Sequence, residues 1–173
     1  MKETGEEVRQ EACLRPAQPE ELTDIFALYQ KRVDWMDESG LAQWNTTDYL
    51  EVYPPGYYEA QQQAGHLYVL EEQGDIAAAV VLLEEDERWP EAERGSFWYI
   101  HNLVANQNFP GAGKRALELA EAEALAAGRQ ALRLDCAVDS VFLNAWYGRQ
   151  GYEPAGEFED GPYTGRRMEK KLG

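Results

Sequence analysis

Between Ser96 and Tyr152 the hydrophobic pattern switches from that of a strand to that of a helix and back, and this alternation constrains the fold more than any other feature. Ser96–Val104 is an aromatic and β-branched run that reads as a buried strand. Asn106–Gly113 carries two glycines and a proline and reads as a loop. From Lys114 the period becomes helical: Leu117, Ala120, Ala124 and Ala127 share one face, away from Glu118, Glu121 and Glu123. Gly128 follows, where a left-handed helix end is expected. Leu132, Leu134 and Cys136 then alternate with Arg133 and Asp135 as a second strand. The sum is one βαβ unit.

A glycine turn feeding a helix offers free backbone N–H groups and the positive end of the helix dipole to an anion. It equally serves as a tight turn that needs positive φ. A Walker loop is excluded: Arg115 follows Gly113-Lys114 where Ser or Thr is required, and Asn108 stands in place of the first glycine. A dinucleotide fingerprint needs three glycines, and this turn has two.

The order Tyr99-Ile100-His101-x-Leu103, Asn108-x-x-Gly111-x-Gly113, Leu132-x-Leu134-Asp135-Cys136, Tyr147-x-x-x-Gly151-Tyr152 resembles the GNAT superfamily of acyl-CoA-dependent N-acyltransferases. Trp35, Gly40, Gln43 and Trp44 are similar to a bacterial subgroup with a Trp…Gly-x-x-Gln-Trp pattern. The chain departs from the family at three places. Asn108 replaces the usual Gln or Arg at the turn, the loop is about two residues short, and Ser140 occupies the family's Asn position.

The resemblance implies an α/β fold: a mixed, mostly antiparallel sheet of six to seven strands with helices on both faces, spanning residues 1–173 as one domain. It implies acetyl-CoA as acyl donor, with no metal. Backbone groups around Leu103, Val104 and Ala105 are then expected to hold the pantetheine arm. Asn108, Phe109, Pro110, Gly111, Ala112, Gly113 and Lys114 are expected to grip the pyrophosphate, and Ser140 and Asn144 to line the groove. Trp35 and Trp44 bracket the turn that lines the acceptor pocket in the family, or else both indoles are core.

Acyl transfer to an amine needs a deprotonated nucleophile, donors for the developing oxyanion, and a proton for the leaving thiolate. Tyr147 matches the family's acid and falls on one face with Ser140 and Asn144 by helical spacing. The base stays open between His101, Asp135, Asp34 and a water relay. His101 is a candidate because histidine changes charge near neutrality.

Sixteen basic against 32 acidic residues leave a net charge of −16, which disfavours nucleic acid and anionic membrane surfaces and favours cationic amines. Solubility alone is a sufficient reason for such a charge. An anionic cofactor needs local cations. Lys114 and Arg115 stand in the first helical turn, against the dipole, and Arg149 is a further candidate. Cys13 and Cys136 form no metal pattern and read as small buried residues. The charged first ten residues lack an apolar signal region, and Ile76–Leu83 is too short for a membrane span, so a cytoplasmic location is the default expectation.

Elsewhere, Val8–Leu14 reads as a first strand, and Leu22 to Met36 as a helix closed by Gly40. Thr46 or Thr47 starts a second helix that Pro54-Pro55-Gly56 divides. Hairpins form around Gln73-Gly74-Asp75 and Asp160-Gly161-Pro162. Arg166, Arg167, Lys170 and Lys171 read as a solvated edge.

The leading expectation is an N-acetyltransferase acting on a small, cationic primary amine by direct attack in a ternary complex, with a homodimer allowed. The alternative is a non-catalytic acyl-CoA-binding or regulatory protein on the same fold. A third is a nucleotide-binding βαβ protein.

Overall fold

The computed structural model describes residues 12–41, 44–90 and 95–173. Seven strands form one sheet: β1 (Cys13–Pro16), β2 (Leu67–Glu72), β3 (Asp75–Leu83), β4 (Phe97–Ala105), β5 (Ala131–Ala137), β6 (Glu153–Asp160) and β7 (Tyr163–Lys171). Their order is β1-β2-β3-β4-β5-β7-β6. Every neighbouring pair is antiparallel except β4 and β5, the two strands of the βαβ unit.

Five helices cover the sheet: α1 (Leu22–Ser39), α2 (Tyr49–Val52), α3 (Pro55–Gln63), α4 (Ala112–Ala126) and α5 (Val141–Arg149). They divide the core in two. Ile25, Leu28 and Tyr29 of α1, Tyr49 of α2 and Tyr58 of α3 pack against Leu67, Val69, Ala79, Val81 and Val104. On the opposite face Ala116, Leu117, Ala120 and Ala124 of α4 and Tyr147 of α5 pack with Val80, Leu82, Ile100, Leu132 and Leu134. The small alanines of α4 let that helix lie close to the sheet.

Local chemistry sets the boundaries. Gly40 (φ +71°) and Gly128 (φ +78°) adopt the left-handed conformation that ends α1 and α4. Pro54 and Pro55 separate α2 from α3, and Pro55 opens the latter. Asp48, itself left-handed at φ 52°, precedes α2 in place of the expected threonine cap.

Several expectations need correction. Helix α4 begins at Ala112, two residues before the predicted start. The first strand runs Cys13–Pro16, later than predicted, and residues 8–11 of the predicted strand lie outside the described residues. Cys13 is exposed; only Cys136 is buried. Strand β7 is not an edge, because β6 pairs outside it. Accordingly Arg166 donates to Asn144 Oδ1 (2.9 Å), Arg167 to the Arg88 carbonyl (2.5 Å), and Lys170 pairs with Glu121 (2.9 Å).

Candidate active site

The two parallel strands stay together only briefly. Phe97, Trp98 and Tyr99 face Ala131, Leu132 and Arg133, and no pairing continues beyond Tyr99 and Arg133. Arg133 is buried at that fork. It pairs with Glu169 (2.7 Å), and its guanidinium lies 3.5 Å from the Phe97 ring centre and 4.4 Å from that of Trp89. Past it, the edge of β4 from Ile100 to Ala105 has no strand partner on the β5 side. Apart from the Asn102 and Ala105 carbonyls, which side chains of α1 occupy, its backbone polar groups on that side are available to a ligand.

A bulge reshapes the same segment. Pairing with β3 shifts by one residue, since Ala79 faces Val104 but Val81 faces His101. The extra residue falls at Asn102, whose φ of +53° is left-handed, a conformation asparagine tolerates better than most residues. Three phenols converge on it. Tyr29 of α1 donates to the Asn102 carbonyl (2.5 Å), Tyr57 of α3 to Oδ1 (2.8 Å), and Nδ2 donates to Tyr49 Oη of α2 (2.5 Å). Arg32 of α1 likewise donates to the Ala105 carbonyl (3.1 Å). On the α1 face, then, β4 is tied down carbonyl by carbonyl.

The glycine turn meets the far end of the fork. Gly111 (φ +80°) precedes α4, and a Cβ at Gly113 would sit 3.8 Å from Ala105 Cβ and from the Trp146 ring. The loop uses some of its own N–H groups. Asn108 donates to Asn106 Oδ1 (3.0 Å), Phe109 to the Asn106 carbonyl (3.0 Å), and Ala112 to the Phe109 carbonyl (3.1 Å). Those of Gly111, Gly113 and Lys114 have no acceptor among the described residues. Of the Asn108–Lys114 stretch expected to grip a pyrophosphate, only these three N–H groups are unpaired among the described residues. Phe109 packs into the α4-side core, and the Pro110 carbonyl accepts from Arg115 (2.9 Å). Arg115 is committed to Glu72 through two hydrogen bonds (2.5 and 2.9 Å) and is not a free cation. Lys114 is exposed, with only the weak neighbour Glu118 at 3.8 Å. Arg149 is exposed at the end of α5.

Tyr147 is buried in the α4-side core, against Trp146 and Tyr152. Its hydroxyl makes no hydrogen bond among the described residues. Burial pushes its pKa well above the ordinary phenol value, so it stays a proton donor. Ser140 and Asn144 are occupied otherwise than expected. Ser140 caps α5 by accepting the Leu143 N–H (3.3 Å). Asn144 donates to the Ala137 and Ser140 carbonyls (3.0 and 2.7 Å) and accepts from Arg166. Leu103 packs toward α4 and Val104 toward α1, as the pleat requires.

Trp44 is stacked on Tyr49 at 4.2 Å and belongs to the α1-side aromatic cluster, whereas Trp35 carries the Arg32 guanidinium at 5.0 Å. Gln43 of the subgroup pattern lies outside the described residues. Asp34 is exposed on α1. Asp135 accepts from Arg88 (3.2 Å) and Tyr163 (2.8 Å).

His101 has a partner that sequence reasoning missed: its Nε2 lies 2.7 Å from Oδ2 of the buried Asp86. Burial pushes the Asp86 carboxyl up. The His101 hydrogen bond and charge, together with the Arg88 N–H and guanidinium, outweigh it and leave the carboxyl below its ordinary range. Arg88 joins this pair to the rest of the wall, bonding Asp135 and Asp160 (3.0 Å) while lying 5.2 Å from the Phe158 and Tyr163 ring centres. Ligand atoms of Asp86, His101 and Asp135 come within 4.8 Å of one another, but Arg88 already supplies countercharge there. Nothing in the run Glu84-Glu85-Asp86-Glu87 marks Asp86 out, because only the fold brings it to His101.

Residues 27–152 match the acetyltransferase (GNAT) family. The chain belongs to that family. The GNAT domain is 29% identical over 157 residues to the uncharacterized N-acetyltransferase YesJ of Bacillus subtilis (strain 168), covering 82% of this chain and 81% of that one. A GNAT-family acetyltransferase of Listeria monocytogenes 4b F2365 superposes with a TM-score of 0.77 at 23% identity, covering 93% and 95% of the two chains. N-acetylglutamate synthase of Neisseria gonorrhoeae, solved with coenzyme A and N-acetyl-glutamate, shares the fold at a TM-score of 0.62 and 16% identity. That match covers 94% of this chain and 35% of the other. The seven-stranded, mostly antiparallel sheet is thus the GNAT fold. No described helix is long and apolar enough to cross a membrane.

Proposed function

We propose that the protein is an acetyl-CoA-dependent N-acetyltransferase acting on a primary amine of a small, cationic acceptor by direct attack. The observation that carries this reading is the fork between β4 and β5, with the free N–H groups of Gly111, Gly113 and Lys114 at its mouth. A diphosphate suits that helix end, where N–H groups and dipole act together. Pantetheine would extend along the unpaired edge of Leu103–Ala105 much as a further strand does. In keeping with this, the gonococcal neighbour is a coenzyme A complex.

The cofactor, when bound, supplies an activated thioester. Residues of this chain do the rest. Unpaired N–H groups of β4 stabilise the developing oxyanion. Tyr147 protonates the leaving thiolate, and His101, hydrogen-bonded to Asp86, takes the amine's proton. The pyrophosphate contacts come from Gly111, Gly113 and Lys114, with Asn108, Phe109, Pro110 and Ala112 shaping the turn. Ser140 and Asn144 fix α5, and Trp35 and Trp44 support the acceptor side.

The test is isothermal titration with acetyl-CoA followed by thiol release on a panel of amines. Micromolar binding with amine-dependent release is expected. Binding without release across the panel would move the reading to a non-catalytic acyl-CoA-binding protein, and absence of binding would end both.

A further inference from the structure

We infer that the acceptor amine meets β4 on its α1–α3 face and gives its proton to Nδ1 of His101, which Asp86 holds in the required tautomer. The inference rests on the acetyl-transfer reading above.

The argument begins with the bulge. Ile100 and Leu103 pack on the α4 side, while Val104 packs on the α1 side. The extra residue breaks the alternation between them, so His101 and Asn102 both turn to the α1–α3 side. The amine therefore approaches from the face opposite α4. There His101 is 14% exposed and Asp86 7%. An ionised carboxylate only accepts, so the hydrogen in the 2.7 Å contact belongs to Nε2. Nδ1 is left with its lone pair and no partner among the described residues.

The groups facing this pair come from every neighbouring element: Arg88 from the β3–β4 connection, Asp135 from β5, Asp160 and Tyr163 from the β6–β7 hairpin, and Tyr53 and Tyr57 from the α2–α3 region. Most are spent on each other. Arg88 holds Asp135 and Asp160, Tyr163 donates to Asp135, and Tyr57 donates to Asn102. The bare His101 nitrogen is the basic site left over.

The protons balance. The ammonium gives one to Nδ1, leaving an imidazolium paired with Asp86. The neutral nitrogen attacks the thioester carbon, a C–N bond forms and the C–S bond breaks. The nitrogen then loses a second proton to water, Tyr147 protonates the departing thiolate, and water returns a proton to the Tyr147 phenolate. The first leaves His101 for solvent.

Asp86 acts through His101 and is a positioning residue. Asp86→Asn should lower kcat/KM about 10- to 100-fold, as loss of a group that orients a working histidine does. Acetyl-CoA affinity should stay within about twofold of wild type, because Asp86 lies outside the cofactor machinery. In Asp86→Asn the side-chain amide can donate to Nε2, so 15N NMR should show the His101 hydrogen moving to Nδ1. A uniform loss of activity with an unmoved tautomer, tracking a lower Tm, would overturn the assignment. If the variant fails to fold, 15N NMR of the imidazoles in the wild-type protein decides it. The chain has two histidines, and His66→Gln assigns them. Neutral His101 should carry its hydrogen on Nε2, and a hydrogen on Nδ1 would refute the tautomer claim. His101→Gln with unchanged turnover would remove the base and leave acetyl transfer standing. No thiol release with any amine would defeat acetyl transfer itself, and the NMR result would still stand.

Discussion

Tyr147 occupies an unusual position for a phenol. It is buried against Trp146 and Tyr152 and has no hydrogen-bond partner among the described residues. A raised pKa suits a donor to a thiolate, which must be protonated as the C–S bond breaks. Replacing it with Phe removes one oxygen and keeps the ring packing. Tyr147→Phe should reduce kcat about 10- to 100-fold, within the lower range for general acids because a thiolate leaves readily. Acetyl-CoA affinity by titration should be nearly unchanged; equal losses in both would make Tyr147 a binding residue. Tyr147 and His101 were both legible as candidates, one from its distance to Gly151 and the other from its residue type. Asp86, Arg88 and the tyrosines around Asn102 were not, because their roles arise from contacts spanning 15 to 73 residues. Asn102 did carry a faint signal, since asparagine is disfavoured within a strand.

Helix α5 shows what an element adds beyond its residues. Its helical period places Ser140, Asn144 and Tyr147 on one face, yet only Tyr147 is free of local duties. The helix is short, nine residues, and needs its capping bond from Ser140 and its tie from Asn144 to stay aligned with β5. Ser140→Ala should cost about 1 kcal/mol. In a domain of this size that is a Tm decrease of roughly 2–4 °C by thermal denaturation. An unchanged Tm, or loss of acetyl-CoA binding with intact Tm, would show that Ser140 serves the ligand instead. Most elements were readable from period and punctuation. The exceptions have physical causes. The start of α4 was missed because Ala112 and Gly113 carry no amphipathic signal. Strand β7 looked like an edge because its run of cations does not reveal that Arg166, Arg167 and Lys170 have partners distant in sequence, while Lys171 is exposed as expected.

At the scale of the whole molecule, a net charge of −16 acts on both reactants with opposite sign. A cationic acceptor is drawn in and anionic acetyl-CoA is held off until the local N–H groups take over. Raising NaCl from about 20 to 300 mM shortens the Debye length from roughly 20 Å to about 6 Å. KM for a cationic amine should then rise several-fold while KM for acetyl-CoA stays level or falls. Parallel changes would assign the acidity to solubility alone. The charge was plain in the sequence, whereas the fork that gives it a direction was implied only by the family resemblance, since by pattern alone β4 and β5 read as ordinary neighbours until their register is known. The three phenols on Asn102 belong to this scale as well, for they come from three helices and fasten one strand. A mutational walk toward bulkier substrates could not relax α2 or α3 without also loosening the strand that aims the acyl group. Substrate range and rate would be inherited as a single trait, and retargeting would demand compensating changes in several helices at once.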